Sequence, residues 1–117
     1  YRPHRPRFQP AARVITTVTS VPEEGVAITD GGGKSIGSDA GGPSVDNVPG
    51  ARSLSLSAEH GTLALEPASK AVLELGDKVW YTPWDIGTCV NLHDYMFLAR
   101  DGRLEAVWAI AARGRYR

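Results

Sequence analysis

The chain has 117 residues and a mass of 12.5 kDa, with 13 Lys plus Arg against 13 Asp plus Glu, three His and one Cys. That length carries one domain with a modest core, and a formal charge of zero argues against a general nucleic-acid or membrane-surface binder, which would carry a basic excess. A single cysteine excludes an internal disulfide framework and a CxxC zinc site, and no apolar run approaches the ~18–20 residues of a membrane span.

The charges are uneven along the chain. Arg2, Arg5, Arg7 and Arg13 precede the first carboxylate, Glu23, and Arg113, Arg115 and Arg117 close the sequence. Residues 1–12, with Pro3, Pro6 and Pro10, read as a basic Pro-rich arm that can hold neither a regular helix nor a central strand. A β-domain is expected over 13–114 and a short tail over 115–117. The opening at Tyr1 and the lack of an apolar leader suggest a piece of a longer, cytoplasmic protein.

In chain order, RVITTVTS (13–20) is dense in β-branched residues and predicts a strand that Pro22 ends. GVAITD (25–30) alternates as a second strand, with Glu23–Gly25 as the turn between them. Residues 31–50 hold seven of the 13 glycines and two prolines, so they predict a long ordered loop with no helix. LSLS (54–57) and TLALE (62–66) alternate around AEHG, a hairpin signal. After a turn at 67–70, Gly76-Asp77 punctuates and Val79, Trp80 and Tyr81 mark a buried strand. CVNLHDYMFLA (89–99) predicts another strand. Asp101-Gly102 is the strongest hairpin signal, and its return strand places Leu104, Ala106, Trp108 and Ile110 on one face. Six to eight short strands predict an all-β, mostly antiparallel barrel or sandwich.

The sequence has no Walker loop, HExxH or GxSxG, and GGGK (31–34) lacks the Ser/Thr-terminated spacing of a phosphate cradle. The residues left with chemistry are His60, Asp85, Cys89, Asn91, His93 and Asp94. On a strand, Cys89, Asn91 and His93 share one face, and with Asp85 upstream they could hold a divalent ion, zinc suiting the soft donors. The plainer alternative makes Cys89 a small buried hydrophobe, His93 a hydrogen-bonded strand residue and His60 a structural turn residue. Trp84 and Asp85, an indole beside a carboxylate at a strand-to-loop transition, mark a site-forming loop.

Taken together, KSIGSD (34–39), LSAEHGTL (56–63), LGDKVWYTP (75–83) and CVNLHDYMFLARDGRLEAVWAIAARG (89–114), with the opening strand, resemble the C-terminal β-domain of the D-serine dehydratase and D-threonine aldolase family. The resemblance runs collinearly over most of residues 8–115. It implies a pyridoxal-phosphate enzyme of the alanine-racemase-like class, in which a separate N-terminal barrel carries the Schiff-base lysine and this domain supplies a metal and substrate site. Lys34, in the glycine-rich loop, is not that lysine. The family's loop reads P-N-H-x-C or P-N-H-x-D, its His and Cys or Asp binding a divalent ion. Here the aligned stretch is Pro83-Trp84-Asp85-Ile86-Gly87, so Asp85 takes the histidine position and Gly87 the second ligand position. The resemblance therefore implies either an ion (Zn or Mn) held by Asp85 with His60, Cys89 or His93, or no metal at all, with Trp84 and Asp85 shaping the substrate pocket. Asn91 and His93 are further candidates for that pocket. It implies a lyase half that is inactive without its barrel and works on a small D-amino acid in a homodimer, with no nucleic acid or membrane partner. The rival from another class is a stand-alone β-barrel interaction module without catalytic activity.

Overall fold

The computed structural model describes residues 8–115. The arm expected at 1–12 falls outside the described residues up to position 7, as does the tail beyond Arg115. Among the described residues, eight strands and two single-turn helices follow in the order β1 (Val14–Glu23), β2 (Val26–Thr29), α1 (Gly33–Ile36), β3 (Ser44–Val45), β4 (Ala51–Leu56), β5 (Gly61–Leu65), β6 (Lys78–Thr82), α2 (Ile86–Val90), β7 (Tyr95–Arg100) and β8 (Arg103–Ala109).

Six strands form one antiparallel sheet in the order β3-β6-β1-β2-β5-β4, and β7 and β8 pair as a separate hairpin. The two edge strands, β3 and β4, come back into contact, so the sheet curls into a nearly closed barrel. The period of two along each strand decides what lies inside it. Thr16 and Val18 of β1, Ala27 and Thr29 of β2, Leu63 of β5, and Val79 and Tyr81 of β6 all point inward, where Ile36 and Val48 join them. The polar groups carried inside are satisfied. Thr16 Oγ1 donates to the Val79 carbonyl at 3.0 Å, and Thr29 Oγ1 lies 3.2 Å from the Tyr81 hydroxyl.

The all-β architecture is as the sequence predicts, and four local expectations need correction. First, β1 runs past Pro22 to Glu23, because register shifts after Val18 and after Ser20 leave the proline out of the ladder. Second, the glycine-rich stretch holds one helical turn, α1. Its low propensity is overridden because the Gly33 and Lys34 amides donate to the Ser57 and Ala58 carbonyls at 2.7 and 3.0 Å, and Ile36 is fully buried. Third, the strand expected over 89–99 begins only at Tyr95, since 86–90 close the turn of α2. Fourth, Leu104 does not share a face with Ala106 and Trp108. A bulge at Glu105 sets Leu104 opposite Ala99, and β8 stops before Ile110. The hairpin turn itself matches its signal, with positive φ at both Asp101 and Gly102.

One glycine fixes how the glycine-rich loop meets the barrel. A Cβ on Gly32 would lie 2.5 Å from the His60 amide nitrogen and 2.5 Å from the Ser57 carbonyl oxygen, both backbone atoms that cannot swing aside. Gly42 in the same loop faces open space. We expect Gly32→Ala to cost roughly 3 kcal/mol or more of unfolding free energy, and Gly42→Ala to stay within about 0.5 kcal/mol of the parent, measured by urea denaturation.

Candidate functional site at one end of the barrel

Three segments far apart in sequence meet at one end of the barrel: the glycine-rich loop, the β4–β5 turn and the segment after β6. The loop lies between the other two. On one side its amides donate to the turn that carries His60, and Lys34 Nζ pairs with Glu59 at 2.5 Å on the surface. That exposed pair raises the Lys34 ammonium and lowers the Glu59 carboxyl from their ordinary values, each through the hydrogen bond to the other.

On the other side the loop carries the segment from Trp84 to His93. The Trp84 indole lies over Gly41, where an added Cβ would be 3.0 Å from the ring and where φ is +151°. Thr88 lies against Gly37. The Ser35 carbonyl then accepts twice, from the Cys89 thiol at 3.5 Å and, at 2.7 Å, from His93 Nε2. Because a carbonyl can only accept, Nε2 is the donor in this contact, so the tautomer it selects has its lone pair on Nδ1.

Asp85 explains why this segment turns helical. It sits at the N-cap of α2 with extended backbone (φ −116°, ψ 113°), and its Oδ1 accepts from the Gly87 and Thr88 amides at 2.7 and 3.4 Å. The Cys89 amide closes back on the Asp85 carbonyl, and Asn91 caps the far end with its amide on the Gly87 and Cys89 carbonyls. The capping pattern was present in the sequence as an Asp followed three residues later by Thr, but Trp84 and Asp85 read as a loop and the residues from Cys89 onward as a strand.

The residues singled out from sequence are thus only partly assembled. Trp84, Asp85, Cys89, Asn91 and His93 share one short segment, held on the glycine-rich loop. Cys89 does not share a strand face with Asn91 and His93, since it lies in α2. His60 belongs to the opposite wall of the loop, on an exposed turn.

The donor set does not fit the divalent ion that the resemblance implies. Asp85 spends a carboxylate oxygen on its own helix, and Gly87 has no side chain to offer. Cys89 is buried with its thiol turned to the Ser35 carbonyl. Among the described residues, no group of three or more His, Cys, Asp or Glu could hold a metal ion.

Burial pushes the Cys89 thiol up from 9.0 to about 11, and burial also raises the Tyr81 phenol. Between about pH 9 and pH 11 the unfolded chain has therefore lost the thiol proton while the folded chain keeps it, so stability falls as pH rises through that window. Cys89→Ala should flatten this alkaline decline in chemical denaturation, leaving the part due to Tyr81. An unchanged slope would mean that the thiol is not enclosed.

With this geometry in place, comparison with known proteins identifies the domain. Residues 11–99 match the family described as "Putative serine dehydratase domain". The chain is 35% identical to the D-threonine aldolase of Arthrobacter sp. over 107 residues, which is 92% of this chain and 28% of that protein. It is 30% identical over 108 residues to the 3-hydroxy-D-aspartate aldolase of Paracoccus denitrificans, covering 92% of this chain and 27% of that one. In three dimensions it superposes on the crystal structure of D-threonine aldolase from Filomicrobium marinum with a TM-score of 0.87 at 32% identity, covering 96% of this chain and 30% of the other. The chain spans less than a third of the length of these relatives. A barrel of this topology, matched along nearly its whole length, belongs to the D-serine dehydratase and D-threonine aldolase family and corresponds to its C-terminal domain.

Proposed function

We propose that this chain is the substrate-closing domain of a pyridoxal-phosphate lyase acting on β-hydroxy D-amino acids, and that it is inactive without the larger domain that binds the cofactor. The observation that carries this reading is the near-complete match of the chain to two enzymes named for cleaving β-hydroxy D-amino acids. D-Threonine and 3-hydroxy-D-aspartate share a hydroxyl on Cβ and differ beyond it, so the common feature is the β-hydroxyl.

Pyridoxal phosphate, held outside this chain, would supply an electron sink for negative charge developing at the substrate Cα. The chain's own contribution is local. Trp84, stacked on Gly41 and 43% exposed, offers an apolar wall that excludes water. His93, with Nε2 fixed on the Ser35 carbonyl, presents Nδ1 as a proton acceptor for a substrate hydroxyl. Asn91, at the end of α2, lies between them in the chain and completes the pocket. A retro-aldol cleavage needs the hydroxyl proton removed as the Cα–Cβ bond breaks, and a neutral imidazole suits that task.

The β7–β8 hairpin supplies the docking surface. A two-stranded ribbon is marginal in water by itself, yet here both faces are apolar and open: Phe97 is 70% exposed, Leu104 61% and Trp108 55%. The occupant that fits is the cofactor domain of the intact protein, given that relatives matched along this whole chain are more than three times as long. The rival reading, a free-standing interaction module, also uses this hairpin but leaves the pocket segment without a role.

The intact protein should convert D-threonine to glycine and acetaldehyde, or to 2-oxobutanoate and ammonia, and leave L-threonine untouched, while residues 1–117 alone turn over neither. Absence of both products with D-threonine, D-serine and 3-hydroxy-D-aspartate would favour the module. His93→Ala should lower kcat/KM by roughly 10²-fold. Phe97→Asp should lower the unfolding temperature of the intact protein while leaving that of the isolated domain unchanged, because only the former buries this ring.

A further inference from the structure

The pocket segment has an internal fastening where the family resemblance calls for an ion. At its N-terminal end, Asp85 Oδ1 holds the Gly87 and Thr88 amides. At its C-terminal end, the Ser35 carbonyl holds both Cys89 and His93. Between these points Thr88 and Trp84 rest on Gly37 and Gly41. Asp85 Oδ1 and the Cys89 thiol are each committed to one of these contacts, Gly87 has no side chain, and His60 lies on the other side of the glycine-rich loop. Swapping a two-residue ligand pair for Asp and Gly removes one donor outright and turns the other toward the helix it starts. A lone carboxylate already accepting two amide hydrogens is a poor seat for a divalent ion, which needs several donors converging on one point.

We propose that in this protein the segment from Trp84 to His93 is held in its working position by the Asp85 helix cap and the Ser35 carbonyl, in place of a divalent ion, so that the pocket is metal-independent. The place of the ion and the handling of the substrate hydroxyl rest on the lyase reading, whereas the fastening itself does not. The fastening does two things an ion would otherwise do: it fixes the segment against the barrel and sets the orientation of the groups facing substrate. Asp85 is in this account a positioning residue. It acts through α2 on His93, and the hydroxyl proton is handled by the imidazole without a Lewis acid.

The test uses the intact protein, stripped with EDTA, then titrated separately with zinc chloride and manganese chloride. Bound metal is read by elemental analysis after gel filtration, and the unfolding midpoint is read at each addition. The parent protein should hold no stoichiometric ion at this segment, and its midpoint should not move with either metal. Asp85→Asn keeps a capping acceptor and should unfold like the parent, whereas Asp85→Ala should unfold earlier. An ion retained alike by parent, Asp85→Asn and Asp85→Ala lies elsewhere in the protein and leaves the proposal standing. One ion per chain that both substitutions abolish would overturn it, as would an Asp85→Ala variant that loses no stability. These readouts need no turnover. An intact protein without lyase activity would therefore refute the functional reading while still answering the metal question.

Discussion

The close approach of the glycine-rich loop to its two neighbours is the constraint on which the rest of this end of the molecule depends. At Gly32 the backbone of the β4–β5 turn comes so near that no Cβ fits, and at Gly41 an indole takes the space a side chain would occupy. With side chains at those two positions the turn and the pocket segment would be pushed apart, and the Ser35 carbonyl could no longer reach Cys89 and His93. Composition that looks like a flexible linker is here the mortar between two walls. The helical turn α1 follows from the same contacts, since its first amides find their acceptors in the neighbouring hairpin and not within the helix.

The barrel was legible because strands report themselves through a period of two and β-branched residues. Val18, Leu63, Val79 and Tyr81 are such residues, and Asp101-Gly102 announces its turn with equal clarity. In β2, by contrast, the apolar alternation points to Val26 and Ile28 while Ala27 and Thr29 are the buried pair, and Trp80 of β6 stays 38% exposed. The two short helices were not legible in the same way. A single turn has too few residues for a helical period, so only its caps can reveal it, and those of α1 are supplied by tertiary contacts. At α2 the signal existed in Asp85, yet a carboxylate in a loop reads equally well as a ligand. Choosing between cap and ligand required knowing where the Gly87 and Thr88 amides point.

The site residues separate along the same line. Trp84, Asp85, Asn91 and His93 were singled out because they cluster in sequence beside a strand end, and the structure keeps them on one short segment. What local reasoning could not supply was Ser35, whose contribution is a backbone carbonyl 58 residues before His93 and carries no side-chain signature. Nor could it place His60, whose turn reaches the glycine-rich loop from the far side. The segment from Trp84 to His93 is held by a backbone carbonyl and a helix cap. The β7–β8 hairpin, by contrast, leaves both its faces apolar and open, with Phe97 and Leu104 on one and Trp108 on the other.

The most direct measurement is a crystal structure of the intact protein with a β-hydroxy D-amino acid bound. On this account the Trp84 ring and His93 Nδ1 touch the substrate around its Cβ hydroxyl, with His93 Nε2 still on the Ser35 carbonyl. A substrate lying against another part of the barrel, with Trp84 and His93 turned to solvent, would contradict it.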